Sequence, residues 1–203
     1  MYERLQRSKL GPFVRTAVSI ASWPRWKRNG SNPPAPPHVK RAVVAGYAQR
    51  FKPSAFVETG TYRGDTVARL RRLVPQVVSI ELAPTLANDA RKRFAKYPSV
   101  EVKQGDSAVL LPDVVKLLTE PSLFWLDGHF SGGSTADSGE SPIMKELDAV
   151  LATDLHHVIL IDDARLFDGS DGYPTLATVT EFVASRRPEL KCTVQDDIIR
   201  VHD

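Results

Sequence analysis

From residue 53 onward, apolar residues come in short, β-branched runs separated by longer amphipathic stretches. The runs at 55–59, 77–82, 100–103, 123–126 and 158–161 predict strands. The stretches at 65–73, 84–97, 107–118 and 143–152 predict helices. Strand–helix alternation dictates βαβ crossovers, and therefore a parallel sheet covered by helices on both faces. The end of the chain breaks this rhythm. After a helix over 175–186, apolar runs at 190–194 and 198–201 flank Gln195-Asp196-Asp197, which predicts a terminal hairpin. The expected fold is α/β: a doubly wound, mostly parallel seven-stranded sheet with a C-terminal antiparallel hairpin.

Before residue 53 the pattern is different. Residues 38–51 read as a helix, with Val43, Val44, Tyr47 and Phe51 on one face and Arg41 and Arg50 off it. Lys40 falls on the apolar face in the first turn and is expected to snorkel outward. Residues 24–37 hold Asn29-Gly30 and four prolines among 33–37, which predicts an extended linker. Residues 1–22 read as a basic helix broken at Gly11-Pro12. The chain thus divides into a basic arm and Pro-rich linker, 1–37, and one domain, 38–203.

Composition agrees with one domain of ordinary size: 203 residues, 42% of them hydrophobic. A single Cys excludes a disulfide framework and a cysteine-based zinc site. No run approaches the ~20 apolar residues that span a bilayer. Residues 12–23 imitate a signal peptide, but Arg15 interrupts them and Pro24-Arg25-Trp26-Lys27-Arg28 is no cleavage site, so a cytoplasmic location is expected. The net charge of +3 conceals an asymmetry. Residues 1–52 carry eleven basic residues against one acid, and the remainder sixteen against twenty-three. Arg4, Arg7, Lys9 and Arg15 interleaved with apolar residues, and Trp23 and Trp26 beside Lys27 and Arg28, suit a peripheral membrane contact. A dimer contact or a solubilising tail are the alternatives. Nucleic acid is not expected, because no aromatic stacking platform or nucleic-acid motif accompanies the charge.

In doubly wound sheets, ligands bind beyond the carboxyl ends of the strands, near the switch in strand order. The first strand ends in Glu58-Thr59-Gly60-Thr61-Tyr62-Arg63-Gly64-Asp65-Thr66. Two glycines permit close backbone approach, but the loop is not G-x-G-x-x-G and has no Lys-Ser/Thr for a triphosphate. A carboxylate at Glu58 repels a pyrophosphate and suits a cationic amine, which argues for a nucleoside with a charged amino-acid tail. Glu81 ends the second strand 21 positions after Gly60, close to the ~20 expected of a ribose-binding acid. Asp106 ends the third, where it could accept from an adenine amino group; Ser107 could equally be only a helix N-cap.

Glu58-x-Gly60-x-x-x-Gly64, Glu81 and Asp106-Ser107 resemble the successive cofactor motifs of class I S-adenosylmethionine-dependent methyltransferases, which have a Rossmann-like fold. The resemblance covers roughly residues 38–203. It implies Gly60 and Gly64 against the cofactor, Glu58 near its amino-acid part, Glu81 on the ribose and Asp106 at the adenine. Thr61, Tyr62, Thr66, Leu82, Ser107 and Asp127 complete the implied cofactor-binding set.

The fourth and fifth strands end in Asp127-Gly128-His129 and Asp162-Asp163-Ala164-Arg165. If these strands are neighbours, Asp127, Asp162 and Asp163 converge, and three repelling carboxylates call for a cation. All-oxygen ligation suits Mg²⁺, with Mn²⁺ or Ca²⁺ less excluded than a soft metal. The three acids resemble the metal site of macrocin O-methyltransferase-like enzymes, which methylate sugar hydroxyls, and are related to the Asp, Asp and Asn set of catechol O-methyltransferase. The chain departs from both in 129–135 and in Arg165-Leu166-Phe167. His129 is the candidate general base, with Asp127 the other candidate; His129 acting only on a neighbouring acid or on pocket shape is the competing reading. Residues 131–142 and 165–174 are long enough for lids. Arg165 is expected to pair with Asp163, His156-His157 to be structural, and Trp125 to be core.

The function expected is an S-adenosylmethionine-dependent, Mg²⁺-assisted O-methyltransferase acting on a hydroxyl of a polyhydroxy small molecule, a sugar-containing metabolite or glycolipid. The rivals are a non-catalytic adapter that recruits a partner through the basic arm, and a dinucleotide-dependent oxidoreductase, which the first loop argues against.

Overall fold

Every apolar run from residue 55 onward becomes a strand of one seven-stranded sheet. In the computed structural model, residues 26–28, 30–127 and 141–203 are described. The chain runs α1 (Pro37–Phe51), β1 (Ala55–Thr59), α2 (Asp65–Leu70), β2 (Gln76–Glu81), α3 (Pro84–Phe94), β3 (Val100–Gln104), α4 (Ser107–Lys116) and β4 (Leu123–Leu126). It continues through α5 (Ile143–Leu151), β5 (Val158–Ile161), a 3₁₀ turn (Ala164–Leu166), α6 (Leu176–Arg186), β6 (Lys191–Gln195) and β7 (Ile198–His202). The strand order is β3-β2-β1-β4-β5-β7-β6, with β1 to β5 parallel and β7 antiparallel to both neighbours. The expected seven-stranded sheet with its terminal hairpin is therefore present.

Strands β1, β4 and β5 are buried at every position, as a sheet sandwiched between helices requires. Alternate residues feed two cores. Val57, Phe124, Leu126, Ile159 and Ile161 pack on the side of α4, α5 and α6, with Leu111, Leu147 and Val179. Phe56, Leu123, Trp125 and Leu160 pack on the side of α1, α2 and α3, with Val44, Val67 and Ala90. Trp125 is core, as expected.

Three helices, at 65–70, 84–94 and 107–116, end two or three residues before the pattern predicts. α2 stops at Leu70, and the residues before Pro75, which bars Val74 from the α region, tighten into turns such as Leu73 N–H to Leu70 O (2.8 Å). α3 stops at Phe94 in a similar way, with a Tyr97-to-Phe94 turn (2.8 Å) directly before Pro98. α4 starts one residue earlier in function than expected: Asp106, not Ser107, is the N-cap, its Oδ1 accepting from the Ala108 N–H at 2.9 Å. The β6–β7 hairpin turns on Asp196 (φ 55°) and Asp197 (φ 62°), both left-handed as a tight two-residue turn demands.

Ahead of α1 the chain folds back instead of extending. Trp26 is buried with Ala35 and Val39, and its indole N–H donates to Asn32 O at 2.6 Å. Trp26 is therefore not available as an interfacial anchor, which corrects the reading of that residue as membrane-facing. The rest of the basic arm, residues 1–25, lies outside the described residues. No helix among the described residues is long and apolar enough to cross a membrane.

Candidate active site

The site lies where the sheet order reverses between β1 and β4, beyond the carboxyl ends of the strands. Thr59 pairs with Leu126 and Leu126 with Ile161, so Gly60, Asp127 and Asp162 emerge side by side. The ladder runs one residue further, with Asp127 N–H on Thr59 O (3.1 Å) and Asp162 N–H on Leu126 O (3.0 Å).

The loop after β1 is tight. Gly60 has φ 89°, and a Cβ there would meet Asp127 O at 2.6 Å, so only glycine lets β1 and β4 lie this close at the switch point. Gly64 (φ 69°) starts α2, and a Cβ on it would strike Phe94 at 2.7 Å. Between them, Gly64 N–H bonds Thr61 O at 2.7 Å, and Tyr62 is exposed with φ 47°. Glu81 holds this loop from the neighbouring strand. Its Oε2 accepts from the Tyr62 N–H (2.7 Å) and its Oε1 from the Ala83 N–H (3.0 Å). Asp106 spends one oxygen on its cap, and Leu82 accepts from Gln104 through its carbonyl. Thr66 lies half-buried in the first turn of α2.

Glu58 is not open to the cleft. It is buried beneath the loop, accepting from Ser79 Oγ at 2.7 Å, while Ser79 in turn contacts Thr61 Oγ1 at 2.5 Å. Burial pushes its pKa up to about 8, Ser79 pulls the other way, and Asp127 and Glu81 add to the rise. At pH 7 it is mostly neutral. Buried and mostly neutral, it does not present the open carboxylate expected for a cationic amine.

Across the switch point, the carboxylate oxygens of Asp127, Asp162 and Asp163 include a set within 4.8 Å of one another. This convergence is the one expected from adjacent strands. Asp163 takes a left-handed conformation (φ 56°), and its backbone N–H bonds Asp162 Oδ1 at 2.8 Å. Arg165 pairs with Asp163 Oδ1 at 2.5 Å and with Asp197 at the tip of the β6–β7 hairpin, so the expected Arg165–Asp163 pair is present.

No protein-family profile matches the chain, and no curated protein matches it in sequence. Solved structures do. The chain is similar to an O-methyltransferase from Bacillus cereus in complex with SAH, with a TM-score of 0.60 at 16% identity over 99% of this chain and 96% of that one. It is similar to the O-methyltransferase TomG from Streptomyces achromogenes, involved in tomaymycin synthesis and in complex with SAM, with a TM-score of 0.59 at 18% identity over 90% and 87%. A third is the SAH-bound methyltransferase PaMTH1 of Podospora anserina, with a TM-score of 0.56 at 17% identity over 93% and 86%. This is the class I S-adenosylmethionine-dependent methyltransferase fold.

Within that methyltransferase fold, two residues matter that the sequence reading misplaced or missed. Lys40, expected to point outward, turns in from the first turn of α1. Its Nζ lies 2.6 Å from Asp162 Oδ1 and 2.5 Å from Asp163 Oδ1, with only 13% of the side chain exposed. Burial pulls its pKa down, but the two carboxylates more than offset this and hold it above its ordinary value. Paired this way, Lys40 is an ammonium. Asp162 is pushed upward by burial and by Asp163, with Lys40 opposing.

Glu146 is the second. It projects from α5 to the neighbourhood of Thr59, Ser107 and Asp106, fully buried. The Ser107 and Thr59 hydroxyls lie near without meeting hydrogen-bond geometry. Burial dominates and pushes its pKa up to about 7. Its helical spacing from Ile143 and Val150 puts it on the buried stripe, a signal legible in the sequence.

Phe167 and Tyr173 meet edge-on, with centroids 5.5 Å apart, and wall a cavity floored by Asp127, Asp162 and Ser141. The 165–174 segment, expected as a lid, is tied at both ends: Leu176 N–H bonds Phe167 O (2.9 Å), and Ser141 N–H bonds Gly172 O (2.8 Å). His129 and residues 131–140 lie outside the described residues. His157 is structural, as expected: it takes the Ser122 N–H on Nδ1 at 3.0 Å, and burial and Arg187 lower its pKa to about 4.

Proposed function

We propose that the protein is an S-adenosylmethionine-dependent O-methyltransferase that acts on a hydroxyl of a polyhydroxy small molecule, assisted by a divalent cation. One observation carries the reading. A glycine-tightened loop with ribose- and adenine-competent acids, and a cluster of three acids, share the same switch point, side by side on β1 and β4–β5.

Both groups fit the residues present. Gly60 lets the loop backbone close on the cofactor side, and the three carboxylates are the hard, all-oxygen donors that Mg²⁺ or Mn²⁺ takes. When bound, the cofactor supplies an activated methyl group, and the cation lowers the pKa of a coordinated hydroxyl. The chain supplies the rest. Asp127, Asp162 and Asp163 would hold the cation and so orient the acceptor hydroxyl. Glu81 orders the loop through the Tyr62 and Ala83 N–H groups and retains acceptor capacity for ribose hydroxyls. Asp106 keeps one oxygen for the adenine amine while the other caps α4. Phe167 and Tyr173 screen the cavity from water. Proton removal falls to His129 or Asp127; while paired with Asp162 and Asp163, Lys40 is held protonated.

Calorimetric titration with S-adenosylmethionine, followed by a methyl-transfer screen against sugar and vicinal-diol acceptors with Mg²⁺ or with chelator, tests the proposal. Binding that weakens in Asp106→Ala, and transfer that needs Mg²⁺ and is lost in Asp162→Ala, are expected. No cofactor binding by the unaltered protein would end it, and transfer undiminished by chelator would remove the cation from the mechanism.

A further inference from the structure

The geometry points to Lys40 as a tethered cation that competes with the divalent ion for Asp162 and Asp163, and so sets the metal affinity of the site. The inference rests on the cation reading above and deepens it.

Each carboxylate oxygen has two good acceptor directions. Asp162 Oδ1 takes the Asp163 N–H at 2.8 Å and the Lys40 ammonium at 2.6 Å. Asp163 Oδ1 takes Lys40 and Arg165, each at 2.5 Å. Both oxygens are therefore already saturated, and the same ammonium bridges them. A divalent ion binding these oxygens must displace Lys40. One taking the opposite oxygens would still lie within a few ångströms of a positive charge in a half-closed site, where repulsion is weakly screened. Either way, the ammonium raises the free energy of the loaded state.

Lys40 is not placed there by chance contact. It reaches across 123 positions of sequence from a helix fixed by its own buried residues, with Val39 against Trp26 and Ala35, and Val44 and Ala48 in the core. Arg165, by contrast, has a second carboxylate of its own in Asp197 and need not move. The two cations are thus unlike: Arg165 is locked by the hairpin, and Lys40 is held only by the pair it would release.

The test uses the full chain and Mn²⁺, whose free concentration is read by electron paramagnetic resonance. Lys40→Met, of similar length and uncharged, is expected to bind Mn²⁺ about tenfold or more tightly than the unaltered protein. Lys40→Arg is expected to stay near the unaltered value. In parallel, acylation of lysines followed by mass spectrometry reports on the unaltered chain. Lys40 is expected to be protected without metal and to become reactive as Mn²⁺ saturates, while exposed Lys92 and Lys116 do not change. This arm needs no variant to fold.

The outcomes separate the two readings. Binding only by Lys40→Met supports the competition and removes the divalent ion from the unaltered protein's mechanism. Equal binding by both proteins, with Lys40 still protected at saturation, overturns the competition and leaves the cation reading standing. No binding by either overturns both.

Discussion

The two halves of the site keep their acids in place by different means. On the cofactor side, Glu58, Glu81 and Asp106 are satisfied by a hydroxyl and by backbone N–H groups within a few residues of the strand ends. On the reaction side, Asp162 and Asp163 are satisfied by an ammonium from residue 40 and a guanidinium anchored on the terminal hairpin. The first half tolerates its charge by hydrogen bonding and, at Glu58, by protonation. The second does so by ion pairing, to Lys40 across 123 positions and to Arg165 two residues on. A half built on backbone N–H groups holds its acids through the fold of the loops themselves. A half built on a displaceable cation can exchange that cation for another.

The largest effect that would break this contrast concerns Glu58. Its folded pKa, about 8, lies above the ordinary carboxyl value of 4.5, because burial favours the neutral acid. A raised folded pKa contributes stability that is fully present below the unfolded value and is lost as pH rises through the folded one. The native state should therefore lose roughly 5 kcal/mol of this contribution between about pH 4.5 and pH 8. Glu58→Gln keeps an acceptor for Ser79 and has no proton to lose. Urea unfolding at pH 5 and pH 9 should show a much smaller fall for the variant than for the unaltered protein. Glu146, shifted the same way, and His157, shifted the opposite way, are common to both and cancel in the difference. Equal falls would show that Glu58 is held ionised, and the contrast between the halves would fail at its strongest point.

Gly60 comes next. Alanine there combines a left-handed backbone with a Cβ 2.6 Å from the Asp127 carbonyl oxygen, and a backbone oxygen cannot swing aside. Gly60→Ala should lower stability by about 2–4 kcal/mol, by thermal unfolding. Because the strain separates β1 from β4, it should weaken S-adenosylmethionine and Mn²⁺ binding together. Loss of cofactor binding with Mn²⁺ binding intact would mean the two halves are mechanically independent.

The same contrast explains what was legible in the sequence. Strand ends were legible because a parallel register carries Thr59, Leu126 and Ile161 into line, so the next residue of each strand must converge. The acids of the cofactor side find partners nearby, and local pattern locates them. Lys40 was not legible that way. On helical spacing alone it is a charge on an apolar face, and snorkelling is the ordinary resolution. Only the seating of α1 across the sheet shows that a carboxylate pair lies in its path. Glu146 had a signal, its place on the buried stripe of α5, but a single acid in an amphipathic helix is easily taken for its polar face. Trp26 was misplaced because the proline-rich composition of 24–37 describes local stiffness and says nothing of what the chain folds back upon.

Asp106 gives the smallest effect and the finest division of roles. It serves the fold as the N-cap of α4 and is proposed to serve the cofactor with its remaining acceptor capacity. Asparagine caps helices as well as aspartate does, whereas alanine loses about 1 kcal/mol. Asp106→Asn should therefore leave stability within about 0.5 kcal/mol of the unaltered protein. An amide cannot be an acceptor on both sides, and with its oxygen on the Ala108 N–H it turns a donor toward the adenine amine. Cofactor affinity should then fall about tenfold, the loss of one hydrogen bond to a charged group. Asp106→Ala should show both losses. If Asp106→Asn binds cofactor as tightly as the unaltered chain, Asp106 is a helix cap alone, and the adenine must be recognised elsewhere on the cofactor side.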